Sequence, residues 1–278
     1  MYKIILLLLI CTNIHATEIK VLTFNTMCDF CKGSDFFNFD KRIQFFNSLI
    51  KKYSPDLISL QEVRSASQVQ DILKGLSEYS YYTNEGFLFS YADPTLIYKK
   101  DLFKLNDKGK IWLGPQEGNF TFGWKWALPR QLLWLDLNYQ DTQFIFAGSH
   151  FDNRVENLKG SAEMVHSFLK TKNSIPLIFA ADTNITIEME EYFILKGKFL
   201  QNSFDLKQSF TVIGGYKDDK DLCYTRKGKV FPYCRVDHIF KSKNLNWKVK
   251  SFQIITEKLT DGKFPSDHRP VLVTFEKN

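Results

Sequence analysis

The stretch "PSDHRPVLVTF" spans residues 265–275. Its second half, Val271-Leu272-Val273-Thr274-Phe275, is apolar and rich in β-branched residues, and reads as a buried strand. Its first half sets Ser266, Asp267 and His268 at the mouth of that strand. Such a group is either a turn that caps the strand or one lip of an active site. The rest of the chain separates the two readings.

The same pattern recurs along the sequence. "VLTF" (21–24) ends at Asn25, and "LISL" (57–60) runs into Gln61-Glu62. "FIFAGS" (144–149) ends at His150, with Asp152 two residues on. "LIFAA" (177–181) ends at Asp182-Thr183-Asn184, and Asp237 and His238 lie inside "RVDHIF" (235–240). A single strand-end aspartate is ordinarily a turn residue or a cap. Six strand-associated polar clusters are harder to read that way, because strand ends are where α/β folds build their sites. Glu62, Asp182, Asp237 and Asp267 offer hard carboxylate oxygens, and Asn25 and Asn184 offer amide oxygens. That donor set suits Mg²⁺, Mn²⁺ or Ca²⁺ rather than zinc or copper. His150 and His268 supply imidazoles that can move protons near neutral pH. Metal, imidazole and carboxylate together are what hydrolysis of a phosphate ester requires.

Helical spacing marks residues 39–53 through Phe39, Ile43, Phe46, Ile50 and Tyr53, with Pro55 ending the helix. It marks 67–76 through Val69, Ile72, Leu73 and Leu76. It marks 155–169 through Val155, Leu158, Ala162, Val165 and Leu169. Strands and helices alternate early and strands run consecutively in the middle, which predicts an α/β protein with mixed sheets. With 278 residues, 44% hydrophobic and 26 of them Phe, the chain can bury a large core. No Pro/Gly/Ser-rich linker divides it, so one domain is expected over 17–278. The first sixteen residues, "MYKIILLLLICTNIHA", have the charge, apolar run and small-residue end of a secretory signal peptide. A secreted or periplasmic protein is therefore expected. The formal charge is +6, or 6 − 1 = +5 without Lys3, a modest basic excess that suits a phosphate-bearing partner.

Without that leader four cysteines remain. In an exported chain disulfides are the default, and the expected pairs are Cys28 with Cys31 and Cys223 with Cys234. The rival is a four-cysteine zinc site, for which the second spacing is too wide. Of the remaining histidines, His166 is read as structural, and His238 as structural or supporting because it points away from Asp237 across the strand.

Taken in order, "TFN" (23–25), "LQEVR" (60–64), "GSHFDN" (148–153), "AADTN" (180–184), "RVDHIF" and "SDHRPV" (266–271) resemble the motifs of the endonuclease/exonuclease/phosphatase superfamily, the DNase I-like fold. The resemblance covers nearly all of 17–278. It implies a four-layer sandwich, two packed mixed β-sheets flanked by helices. It also implies a Mg²⁺-dependent phosphoesterase, Mn²⁺ being the alternative ion. By the same resemblance Glu62 is the principal metal ligand, with Asn25 and Asp267 beside it. His268 contacts the scissile phosphate or acts as base, and His150 is its partner on the leaving-group side. Asp182 and Asn184 orient the nucleophile and bind phosphate, while Asp237 orients a histidine or holds a second metal. Arg64 resembles an arginine that meets DNA. Asp93, in "YAD" (91–93), resembles an acid that pairs with a histidine, and Arg130, in "LPRQLLW" (128–134), a phosphate-contacting arginine. One departure is Ala181, where relatives often carry glycine, tolerable if that backbone needs no positive φ.

The expected activity is a DNase I-like endonuclease, a monomer with DNA as partner. The alternatives are a sphingomyelin or phospholipid phosphodiesterase, with membrane lipid as partner, and a phosphatase of small phosphoesters. A binding protein that had lost catalysis would show gaps in the constellation, and none is visible. The segment "FTFGWKWALP" (120–129) bears on this choice. Alternating aromatics predict a strand with one face in the core. The other readings are a stacking surface for bases and a lip at a membrane interface. The lipid alternative requires this stretch to be exposed and apolar.

Overall fold

The computed structural model describes residues 18–29, 39–84, 93–116, 119–172, 175–197, 200–202, 223–224, 230–231 and 236–277. The expected leader, Cys31, Cys234 and the side chain of Cys223 lie outside what is described.

In chain order the elements are β1 (Glu18–Asn25), α1 (Phe39–Tyr53), β2 (Leu57–Gln61), α2 (Ala66–Ile72), β3 (Tyr79–Thr83), β4 (Thr95–Lys99), β5 (Lys104–Trp112), β6 (Gln131–Tyr139) and β7 (Thr142–His150). There follow α3 (Val155–Thr171), β8 (Leu177–Asp182), α4 (Glu190–Lys196), β9 (Leu200–Asn202), β10 (Cys223–Tyr224), β11 (Val230–Phe231), β12 (Asp237–Ser242), β13 (Trp247–Ile254) and β14 (Val271–Lys277). One six-stranded sheet runs β13-β14-β1-β2-β4-β3 and a second runs β5-β6-β7-β8-β12-β9. Neighbours are antiparallel except β1 with β2 and β7 with β8, so both sheets are mixed.

The central strands are apolar on both faces because both faces are covered. Val271, Val273 and Phe275 of β14, Ile19 and Val21 of β1, Phe144 and Phe146 of β7, and Ile178 and Ala180 of β8 fill one core between the sheets. The opposite parity of β8, Leu177, Phe179 and Ala181, packs with Leu158, Ala162 and Val165 of α3 and Tyr192 and Leu195 of α4. Leu22 and Phe24 of β1 pack with Phe46, Leu49 and Ile50 of α1 and Val69 and Ile72 of α2. These three cores define four layers, helices outside and sheets inside. The sheets meet closely at Gly148, where an added Cβ would overlap Ser59 Oγ and lie 2.6 Å from Leu96 Cδ2.

The three expected helices form, with adjusted faces. Arg42 and Leu49 join the buried stripe of α1. Val155 at the start of α3 is 61% exposed rather than packed. The expected strand over 120–129 does not form. Those residues make turns, with Trp126 74% and Leu128 57% exposed. The alternation was misleading because Phe122 and Trp126 stack on each other instead of lining a core.

Candidate active site

Strand parity decides which side chains meet. In β7, His150 continues the parity of Phe144 and Phe146; in β8, Asp182 continues that of Ile178 and Ala180; in β12, Asp237 shares that of Ile239. Asn25 follows Val21 along the inner parity of β1. All four therefore emerge at one end of the core between the sheets. The register places Asp182 between its neighbours, opposite His150 on one side and Asp237 on the other. His238, one residue on, faces the outer layer, where its Nε2 lies 2.8 Å from the Ile185 carbonyl oxygen. It thus points away from Asp237, as expected.

Two carboxylate–imidazole pairs converge on Asp182. His268 Nδ1 lies 2.8 Å from Asp237 Oδ2, and His150 Nδ1 lies 2.7 Å from Asp93 Oδ2. A carboxylate can only accept, so each Nδ1 donates and each Nε2 faces inward. The two Nε2 atoms stand 3.7 Å (His268) and 3.5 Å (His150) from the same oxygen, Asp182 Oδ2. Both are too long to be good hydrogen bonds. The three groups surround a point rather than closing on one another. Asn25 Nδ2 bridges the two sheets, donating to Asp182 Oδ2 at 2.9 Å and to Glu62 Oε1 at 3.0 Å. The Cys28 N–H fixes the other Glu62 oxygen at 2.7 Å, and Glu62 itself sits at φ 62°. Asn184, at φ 51°, donates its N–H to Asp182 Oδ1 and its amide to the Phe151 carbonyl oxygen. Ser266 donates its hydroxyl to the Asn25 carbonyl and accepts the His268 N–H, tying the Asp267-His268 turn to β1.

The electrostatics follow from burial and charge. Burial and the Arg130 guanidinium push the His150 imidazole down, but Asp93 and Asp182 outweigh them and the net direction is up. Burial likewise opposes charge on His268, yet Asp237 and Asp182 hold it well above its usual value. Burial pushes the Asp237 carboxyl up to about 6 against the pull of His268. Asp182 is desolvated as well, but His268 and His150 hold it below the usual carboxylate range.

Of the sequence-derived set, Asn25, Glu62, His150, Asp182, Asn184, Asp237 and His268 form one network, with Asp267 beside it in the turn. Asp93 pairs with His150 as the resemblance implies. Arg130 donates to Asp93 Oδ2 at 3.1 Å, and Arg64 lies on the surface 3.2 Å from Asp29 Oδ2. Sequence reading overlooked what lies beneath. Gln61, fully buried, donates to Ser59 Oγ at 2.9 Å and to Thr23 Oγ1 at 3.2 Å. Arg42, from the buried face of α1, donates to the carbonyls of Thr26, Met27 and Cys28. Gln61 carried a signal, a polar residue at an inward parity of β2. Arg42 carried none, being a cation on an amphipathic helix.

The donors fit a hard divalent cation. Asp182, Asp237 and His268 place ligand atoms within 4.8 Å of one another. Part of that closeness is the Asp237–His268 hydrogen bond itself. The more telling atom is Asp237 Oδ1, buried with no hydrogen-bond partner. A buried carboxylate oxygen in that state calls for a cation or a water.

No family model and no curated protein matches the sequence. Solved structures do match. An endonuclease/exonuclease/phosphatase family protein from Bacteroides thetaiotaomicron is 22% identical, with TM-score 0.76 over 94% of this chain and 98% of that one. A mannosyl-6-phosphatase from the same organism is 22% identical, with TM-score 0.77 over 92% and 99%. TDP2 of D. rerio, in complex with a single-strand DNA product, is 20% identical, with TM-score 0.70 over 94% and 100%. The fold is thus the endonuclease/exonuclease/phosphatase fold that the motifs imply.

Proposed function

We propose that the protein hydrolyses a phosphoric ester by attack of water, with the centre built on Asp182. The observation that carries this reading is the convergence of two Asp–His pairs on one Asp182 oxygen. Asp182 Oδ2 orients the water and takes its proton, its position fixed by Asn25 and by Asn184. The O–P bond to water forms as the bond to the leaving oxygen breaks. His268, kept protonated by Asp237, binds a phosphate oxygen through Nε2. Its raised pKa favours that role over the role of base. His150, kept protonated by Asp93, gives its Nε2 proton to the leaving oxygen. A Mg²⁺ or Mn²⁺ ion held by Glu62, Asn25 and Asp267, with Asp237 Oδ1 open to a second, would neutralise the phosphate charge when bound.

Within that chemistry DNA cleavage is the first substrate reading. It is supported by the motif order, by the basic charge and by the fold shared with TDP2, whose structure holds single-strand DNA. A phospholipid or sphingomyelin diester is the second reading, supported by the exposed, apolar 120–128 segment. Export and a monomeric state belong to the same reading, as do the pairs Cys28–Cys31 and Cys223–Cys234. The test is hydrolysis of plasmid DNA and of sphingomyelin vesicles side by side, with Mg²⁺ and with EDTA. Metal-dependent nicking of the plasmid alone supports the nuclease. Cleavage of the vesicles alone replaces it with the lipid phosphodiesterase. Activity that survives EDTA overturns the metal-assisted reading.

A further inference from the structure

Among the described residues the large hydrophobic side chains left exposed are Phe120, Trp124, Trp126, Leu128, Val155 and Phe193. Four of them fall within nine residues. A fifth, Val155, adjoins Glu156, whose carboxylate pairs with Lys125 of the same segment at 2.9 Å. An apolar concentration of this kind on a protein surface ordinarily marks an interaction site.

The segment is held in place, so its exposure is built in. Asn157 accepts the Lys125 N–H at 2.8 Å and donates back to the Lys125 carbonyl at 2.8 Å. The Ala127 N–H closes a turn onto the Phe122 carbonyl at 2.8 Å. Trp124 lies over Gly160 of α3, where an added Cβ would overlap its ring. Phe122 and Trp126 stack with centroids 5.5 Å apart and planes 19° apart. Trp124 thus anchors a lip from which Trp126 and Leu128 project.

The lip adjoins the reaction centre. Arg130 follows Leu128 by two residues and pairs with Asp93, the partner of His150. Four residues of chain reach at most about 14 Å, so Trp126 Cα lies within that distance of Arg130 Cα. Asn157, which grips Lys125, also donates to Asp152 at 2.8 Å, two residues past His150.

We infer that this lip docks the protein on an anionic lipid surface, with the reaction centre facing the phosphate headgroups. Three observations favour lipid over other occupants. The exposed set mixes rings with the aliphatic Leu128 and Val155, which add nothing to base stacking but much to insertion at an interface. Phe122 covers one face of Trp126, the most exposed ring. Within residues 119–130 and 153–160, Arg130 is compensated by Asp93 and Lys125 by Glu156, which leaves Arg154 and Lys159 to complement anionic headgroups. What the centre does once docked rests on the phosphoesterase reading; docking itself does not.

The experiment is co-sedimentation of the protein with phosphatidylcholine vesicles and with vesicles of phosphatidylcholine and phosphatidylglycerol. It is run alongside turnover of the soluble diester bis(4-nitrophenyl) phosphate. The protein is expected to pellet with the anionic vesicles and to lose at least about tenfold in partitioning in the variant W126S/L128S. Turnover of the soluble diester should stay unchanged in that variant and circular dichroism should show it folded, because Asn157 and Trp124 still hold the segment. V155S provides a second, milder variant. Equal pelleting of parent and variants overturns the inference, as does no pelleting. Concentration-dependent self-association abolished by W126S/L128S, without vesicle binding, makes the lip a contact between copies and also overturns it. So does an oligonucleotide that quenches tryptophan fluorescence in the parent alone while vesicles do not. Vesicle binding with no turnover of any diester leaves docking standing and removes the phosphoesterase reading.

Discussion

Replacing Asp93 with Asn isolates the part played by charge behind His150. The Asp93 side chain is 1% exposed, lies 2.7 Å from His150 Nδ1 and accepts from Arg130 at 3.1 Å through the same oxygen. Its other oxygen accepts the Glu62 N–H at 3.1 Å. Asn keeps the shape and removes the charge. A buried charge-assisted hydrogen bond contributes about 1.5–3 kcal/mol. Losing that support for the His150 imidazolium lowers its pKa, so less of it is protonated at neutral pH. At about 1.4 kcal/mol per decade, the rate should fall about 10- to 100-fold, within the general-acid ceiling of about 10²–10⁴. The loss should depend on the leaving group. A diester whose leaving oxygen needs a proton should lose the full amount, whereas one releasing 4-nitrophenolate should lose little. The alkaline limb of the pH–rate profile should move to lower pH, because a general acid is lost as pH rises through its pKa. The assay is steady-state turnover of the two diesters across pH. Equal losses on both, or turnover within about twofold of the parent on the demanding one, would refute the assignment.

Three further outcomes follow from other parts of the structure. In the metal-free protein, His268 and His150 have folded pKa values raised above the unfolded value of about 6.5. Their contribution to stability is complete below about 6.5 and is lost as pH rises through the folded values. Melting temperature in EDTA should therefore fall above neutral pH, with a shallower slope in His268→Gln; the same slope in both would contradict the raised imidazole. Mg²⁺ or Mn²⁺ should raise the melting temperature, and Glu62→Gln should blunt the rise; identical titrations would remove Glu62 from the ion. Gly148→Ala should destabilise by about 1–3 kcal/mol in urea melts, because its Cβ overlaps Ser59 and crowds Leu96 from the facing sheet; an unchanged midpoint would contradict the packing of the sheets.

The strands legible in the sequence are those covered on both faces, such as β1, β2, β7, β8 and β14, whose apolar runs leave no other reading. Those that escaped notice are edges. β5, with Lys104, Asp107, Lys108 and Lys110, is mostly exposed, and β13 alternates buried with exposed residues. A solvated edge strand carries charges that guard its open side and blur its period. The site was legible for the same reason as the central strands. A polar residue that ends a fully apolar run at inward parity has nowhere to point but into the gap between sheets. Side chains that arrive from loops or helices carry no period, so Asp93 and Arg130 are reached from the sequence only through the resemblance, and Arg42 only through the fold. The aromatic 120–129 segment failed in the opposite way, since its alternation came from ring-on-ring packing within a turn.

The central claim is that the Asp182-centred arrangement hydrolyses a phosphoric ester. The most direct measurement is turnover of bis(4-nitrophenyl) phosphate with Mg²⁺ by the parent and by His268→Ala, with circular dichroism of both. The account predicts metal-dependent turnover in the parent and a loss of about 10²-fold or more in a variant that keeps its fold. A folded His268→Ala that turns over near the parent rate would contradict it.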